Sequence, residues 1–352
     1  MGVPGSSWQL SAPAERGLSG YITCMKSSSL SLALIAMLLV CAQSSRAKAQ
    51  QASSSSQSVA TPQLVIIDTD IGDDLDDAFA LGLALRSPEL KIVGVTTTFG
   101  NTELRARLVD RYLAAIGRRD IPVFAGPATK TDNVMTQAAY AKRGPERKFG
   151  DGVDFILHQA REHPGEIALI GIGPLSTVRS AIERDPATFR KLKRVVIMGG
   201  SIFRGYGRDG QGKPRPPEPE WNILNDPAGA KALLASGVPV FMMPLDSTQV
   251  PLEAGNRETI FAQGSQLTDQ LTLLYHEWMG GTPNHSPTPT LFDPVAVTYA
   301  FRPDLCPAKP MHIDVDEKGR TTPGQGPPNV EVCLQSDEKG FLDLLLKRLT
   351  AD

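Results

Sequence analysis

Six carboxylates fall within ten residues in the run Asp68-Thr69-Asp70-Ile71-Gly72-Asp73-Asp74-Leu75-Asp76-Asp77. At interfacial dielectric each close pair repels by roughly 1–4 kcal/mol. On a solvated loop such a run is an acidic surface and nothing more. Here it is bounded by Leu64-Val65-Ile66-Ile67 and by Ala78-Phe79-Ala80-Leu81, which read as a buried strand and a buried helix. With a helix starting near Asp73, Asp73 and Asp77 lie four apart on one face, and Asp74 and Asp77 three apart. The helix N-terminus offsets part of the repulsion, and a divalent cation offsets more. Oxygen-only ligands suit a hard ion, Ca²⁺ ahead of Mg²⁺. The spacing is wrong for an EF-hand, whose loop needs Gly at its sixth position and Glu at its twelfth.

The elements that must position these groups alternate in type. Aliphatic runs recur at Ile92-Val93-Gly94-Val95-Thr96, Ile167-Ala168-Leu169-Ile170, Val195-Val196-Ile197-Met198 and Val238-Pro239-Val240-Phe241-Met242. Helix-like segments separate them, at Ala78 to Leu85, Glu103 to Ile116, Phe155 to Glu162 and Pro227 to Ala235. Continuous apolar strands between helices predict an α/β fold, a single domain with a mostly parallel sheet and helices on both faces. Sheets of this kind bind ligands at the carboxyl ends of their strands, where the acidic run sits.

Several motifs, in order, resemble the calcium-dependent nucleoside hydrolases, the inosine-uridine preferring N-ribohydrolases, over roughly residues 64–302. The Asp-Thr-Asp-x-Gly run followed by Asp76-Asp77-Ala78 is the first. Thr97-Thr98-Phe99-Gly100-Asn101 resembles the family's Gly-Asn segment, and Gly171-Ile172-Gly173-Pro174-Leu175-Ser176 its Thr-Gly-Pro-Leu-Thr segment. Met198-Gly199-Gly200, Glu220-Trp221-Asn222, Asn225-Asp226-Pro227 and Phe292-Asp293-Pro294-Val295-Ala296 complete the set. The sequence departs from the commoner pattern by two extra residues between Gly72 and the Asp76-Asp77 pair.

The resemblance implies hydrolysis of the N-glycosidic bond of ribonucleosides, with Ca²⁺ as cofactor. Asp70 would be a metal ligand and the base that deprotonates a metal-bound water. Asp77, Asp293 and the main-chain carbonyl of Ile172 would complete the metal site. Asn101, Glu220, Asn222 and one of Asp74 or Asp76 would hold the ribose hydroxyls; the longer loop leaves the division among Asp73, Asp74 and Asp76 open. These residue types suit the reaction. Breaking C1′–N builds positive charge on the sugar ring, which carboxylates and amide oxygens stabilise. Taken without the acidic run, Asn101, Glu220 and Asn222 would read as capping or turn residues.

The leaving base needs a proton or a stabilising contact. Many family members place a His before the last Asp, where this chain has Phe292, a residue able to stack but not to donate. His276, beside Tyr275 and Glu277 on an expected helix, and His285, in the loop 282–287, are the other candidates for this contact. His158, His163 and His312 read as structural or exposed. The Gly- and Pro-rich stretch from Gly205 to Pro217 is long for a connection in a compact domain, and is expected to carry Tyr206 or Arg208 toward the nucleobase.

The N-terminus has a separate character. Met25-Lys26, the apolar run Leu30 to Val40 and Ala47-Lys48-Ala49 together predict a secretory signal peptide cleaved before Gln50, with Met25 as the initiator. The apolar run falls short of the roughly 20 residues a bilayer span needs. Residues 50–62, rich in Ser and Gln, read as a tether, and 63–352 as the domain. The expected protein is exported, periplasmic or secreted, with no membrane attachment after cleavage. An oxidising compartment would allow Cys306 and Cys333 to pair, and the sequence leaves open whether they do. The formal net charge of −2 over 352 residues, with no basic run, argues against a nucleic-acid partner. The expected partner is a small nucleoside, and the resemblance implies a dimer or tetramer.

Two other classes fit less well. One is an exported riboside-binding protein of the same fold. The other is a phosphatase with Asp68 as nucleophile, which would need Thr or Ser and Lys motifs where Ile172-Gly173-Pro174 and Met198-Gly199-Gly200 stand.

Overall fold

The computed structural model describes residues 61–281 and 286–351. The expected signal peptide, and the tether up to residue 60, lie outside the described residues, as does His285. The first half runs β1 (Gln63–Thr69), α1 (Asp76–Leu85), β2 (Leu90–Thr97), α2 (Thr102–Ala115), β3 (Val123–Ala125), α3 (Ala138–Lys142), β4 (Gly150–Asp151) and α4 (Gly152–Glu162). Then follow β5 (Ala168–Gly171), α5 (Ser176–Arg184), α6 (Pro186–Phe189), β6 (Arg194–Met198), α7 (Trp221–Asn225), α8 (Pro227–Leu234) and β7 (Val240–Met243). The last third holds α9 (Leu245–Thr248), α10 (Ala254–Phe261), α11 (Gln266–Gly281), α12 (Asp293–Tyr299), β8 (Ala308–Met311), β9 (Ile313–Val315), β10 (Thr321–Pro323), β11 (Val330–Cys333) and α13 (Glu338–Leu349).

The nine-stranded sheet has the order β4-β3-β2-β1-β5-β6-β7-β11-β8, and every pair is parallel except β11 with β8. The mostly parallel sheet expected from the sequence is therefore present, and wider than the five aliphatic runs suggested. The two-residue β4 and three-residue β3 are too short to leave a periodic signal. From β1 the order steps outward to β4 on one side and through β5 to β7 on the other. The chain reverses direction across the sheet between β1 and β5, so a crevice opens at their carboxyl ends.

Period-two alternation explains the layers. Val65 and Ile67 face one core with Val95, Ile170 and Val196, against Phe79 of α1, Tyr112 of α2, Leu274 of α11, Val295 of α12 and Leu345 of α13. Ile66 faces the other with Leu169, Val195 and Met242, against Ile156 of α4, Val178 of α5 and Leu233 of α8. Because both faces are covered, the strands read as continuous apolar runs. Cys306 and Cys333 form a disulfide across 27 residues.

Candidate active site

The acidic run leaves β1 at its carboxyl end and enters α1 at Asp76, three residues later than the start expected at Asp73. Its geometry explains the delay. Gly72 turns with φ +123°, a conformation that favours glycine. Asp73 is then drawn sideways to the buried Arg105 on α2, with Nη1 to Oδ1 at 3.0 Å and Nη2 to Oδ2 at 2.8 Å. Asn133 Nδ2 also donates to Asp73. Arg105 further donates to the carbonyls of Phe99, Ile71 and Asp70, pinning the loop on α2. Asp73 and Asp77 therefore do not share a helical face.

Two helix N-termini meet at the site. Asp76 and Asp77 lie in the first turn of α1 and Asp293 in the first turn of α12, and the two helices pack together. The Asp293 N–H donates to Asp76 Oδ2 at 3.1 Å, and Thr69 Oγ1 donates to Asp77. Asp76, Asp77 and Asp293 are all buried and present carboxylate oxygens within 4.8 Å of one another. Burial first, and then the charge of neighbouring carboxylates, push all three well above the usual carboxylate range: Asp74 and Asp70 act on Asp76, Asp70 and Asp76 on Asp77, and Asp76 and Asp77 on Asp293. Asp77 and Asp293, both expected as metal ligands, are in this grouping together with Asp76, whose role the sequence left open. Asp70 stands outside the trio but lines the same cavity, and its charge acts on all three. Burial raises Asp70 to about 7 against the opposing pull of Arg105. Gly173 lies close against it: a Cβ there would come within 2.6 Å of Asp70 Oδ1.

The cavity has a volume of about 340 Å³, within the range of small-molecule sites. Besides the acids, its floor includes Ile172 and Met198 from the ends of β5 and β6. Glu220 and Asn222 form one wall. Glu220 caps α7 by accepting from the N–H groups of Asn222 and Ile223, and it also accepts from Gly200 at 2.9 Å. Burial raises it to about 7 despite these donors. Asn222 Nδ2 donates to the Met198 carbonyl at 3.0 Å. Capping and site-lining thus coexist in one motif. Asp74 is exposed at the cavity edge, where its Oδ1 accepts from the Leu75 N–H.

Tyr206, Trp221, Trp278 and Phe292 also line the cavity, as do Asn133, Val134 and Thr136. Phe292 and Tyr206 pack edge to face there, ring centroids 6.0 Å apart. The Tyr206 hydroxyl accepts from the Trp221 N–H.

Three expected residues lie elsewhere. Asn101 caps α2 by accepting from the Leu104 N–H, and borders a neighbouring cavity with Arg105 and Thr129 rather than the acidic one. His276 is exposed on α11 and does not line the cavity. Trp278, two residues on and so about 200° around the helix, faces inward in its place. Arg208 is exposed and folds back on its own loop, donating to the Gly212 carbonyl. Asp68 is buried, raised to about 7 chiefly by that burial, and accepts from Thr96 Oγ1 at 2.6 Å; it does not line the cavity, which removes the aspartyl-nucleophile reading. Sequence reasoning missed Arg105, Asn133, Val134, Thr136 and Trp278, none of which belongs to a motif.

Comparison with known proteins agrees with this geometry. The family model "Inosine-uridine preferring nucleoside hydrolase" matches residues 65–343. The pyrimidine-specific ribonucleoside hydrolase RihA of Citrobacter koseri is 31% identical over 321 residues, covering 81% of this chain and 97% of that protein. A plant nucleoside hydrolase structure superposes with a TM-score of 0.72 at 27% identity, over 83% of this chain and 100% of that one. A purine-preferring ribonucleoside hydrolase from Gardnerella vaginalis shares the fold, with a TM-score of 0.69 at 23% identity, over 82% of this chain and 98% of that one. The chain belongs to the inosine-uridine preferring nucleoside hydrolase family.

Proposed function

We propose that this chain hydrolyses the N-glycosidic bond of ribonucleosides, with Asp70 as the base and a calcium ion as cofactor. The observation that carries the reading is the buried trio Asp76, Asp77 and Asp293, converging beside Asp70 in a cavity of nucleoside size.

The donor set fits a hard dication. Three carboxylates with oxygens within 4.8 Å repel one another, and the nearest guanidinium, Arg105, is engaged by Asp73 and three backbone carbonyls. Oxygen-only donors suit Ca²⁺ better than a softer metal. Asp76, Asp77 and Asp293 would hold the ion, with Asp70 and the Ile172 main chain bordering the same space. When bound, the ion supplies charge that grips sugar hydroxyls and makes water easier to deprotonate.

The chain's own residues do the rest. Asp70, kept close by Gly173 and Arg105, takes the proton of the attacking water. Glu220, fixed by three N–H donors, and Asn222 orient the ribose. As C1′–N lengthens, positive charge on the ring meets these carboxylate and amide oxygens. Phe292 and Tyr206 offer ring surface to the base. Phe292 cannot donate a proton, and this favours the second reading, a riboside-binding protein that does not cleave.

The export expected from the N-terminal sequence remains part of this proposal; the Cys306–Cys333 disulfide supports it, since such bonds persist in oxidising compartments. The dimer or tetramer implied by the family resemblance is likewise proposed. Incubation with inosine, uridine, adenosine and cytidine, with and without chelator, tests the function by release of reducing sugar. Calcium-dependent release supports hydrolysis. Saturable binding without release supports the binding protein.

A further inference from the structure

The cavity lining combines four aromatic side chains with seven carboxylates. Tyr206 and Phe292 meet at an interplanar angle of 80°, and Trp221 and Trp278 border the same space. Phe99 stands edge-on to Trp221 at 5.9 Å and holds that indole in place. Aromatic side chains lining a cavity offer ring surface, whose quadrupole attracts organic cations. Phe292 directly precedes Asp293, so this aromatic lining is joined to the acidic trio through one peptide bond. Asp74, exposed at the rim, lies in the acidic loop that is two residues longer than the common family pattern, and adds a carboxylate at the entrance. Among the described residues seven carboxylates border the cavity and Arg105 neutralises Asp73, so a divalent ion held by Asp76, Asp77 and Asp293 still leaves the site net negative.

We infer that the preferred substrates are ribosides of positively charged bases: pyridinium ribosides and purine ribosides alkylated on the imidazole ring. The inference rests on the hydrolase reading above. It also resolves the leaving-group problem. In such a substrate the C1′–N bond breaks with its electron pair passing to the positively charged ring, so the base departs neutral and takes up no proton. The oxygen of water bonds to C1′, and the proton it loses passes to Asp70 and then to solvent. Ribose, a neutral base and one proton are the products. The rings need only to hold the cation, and an acid opposite Asp70 is unnecessary.

The test compares kcat/KM of the full chain for nicotinamide riboside and 7-methylguanosine with that for uridine and guanosine, each corrected for its uncatalysed rate in the same buffer. The expected preference for the cationic member exceeds tenfold. In Phe292→Leu and Trp221→Leu, the intrinsic leaving-group difference is unchanged, so any fall in the ratio reports the rings. A fall of about three- to tenfold in at least one variant is expected from loss of a cation–π contact. A wild-type preference of tenfold or less, or a ratio unchanged in both variants, overturns the substrate class while leaving the hydrolase reading standing. No turnover of any riboside overturns both.

Discussion

Arg105 and Asp73 form a two-pronged ion pair, 3.0 and 2.8 Å, in which the arginine side chain is only 3% exposed. Asp73 belongs to the lengthened acidic loop and Arg105 to α2, so the pair fixes that loop against the neighbouring β–α unit. Because Arg105 also donates to the Asp70 carbonyl, it sets the position of the proposed base through the backbone.

Breaking this pair should cost stability unequally. Arg105→Met leaves Asp73 with the Asn133 amide but no countercharge, and three carbonyls without their guanidinium donor, and should destabilise by about 3 kcal/mol, the lower end for a broken buried pair. Asp73→Asn should cost less, because Arg105 keeps its carbonyl acceptors. The double variant should fall well short of the sum of the singles, as measured by urea denaturation. Strictly additive losses would show that the two side chains are not coupled.

The acidic trio predicts metal-linked stability. Calcium in excess should raise the Tm of chelator-treated protein, since a ligand of the folded state stabilises it by mass action. Asp77→Ala should abolish that rise and the stoichiometric metal found by elemental analysis. An equal rise in Asp77→Ala would place the ion elsewhere.

Proton linkage gives a pH signature. Asp68, Asp70 and Glu220 are raised to about 7 by burial, from ordinary values of 3.8 for Asp and 4.5 for Glu. The folded chain therefore holds more protons than the unfolded chain across this interval, and stability falls as pH rises. The penalty is absent below the ordinary values, accumulates up to about 7 and is complete above it. Chelated protein should show a lower Tm at pH 8 than at pH 5, and calcium should narrow the gap by binding the ionised carboxylates. A Tm that climbs over this interval without metal would contradict the burial argument.

The Cys306–Cys333 bond closes a loop of 27 residues in sequence, worth about 3.5 kcal/mol by chain entropy. The Cys306→Ser, Cys333→Ser double variant should unfold at correspondingly lower urea. Unchanged unfolding would mean the bond contributes nothing in solution.

The parts legible from sequence were those encoded locally. Aliphatic runs between helical segments gave the parallel sheet, and the acidic run after Ile67 located the cavity at the end of β1. What escaped was set by tertiary competition. Asp73 looked like a helix residue until Arg105, 32 positions away, drew it out. His276 and Trp278 sit on the same helix, and only packing decides which one turns inward. Asn101 has the side chain for ribose binding but uses it on the Leu104 N–H. Asn133, Val134 and Thr136 reach the rim through a loop with no motif of its own.

Steady-state hydrolysis by Asp70→Asn, set beside wild type in calcium, addresses the proposed chemistry most directly. The amide keeps the shape of the carboxylate but cannot take the water's proton. A fall in kcat of at least about 100-fold, the scale of general-base catalysis, with folding by circular dichroism intact, is the predicted result. Ribose release at the wild-type rate would contradict the assignment of Asp70 as the base.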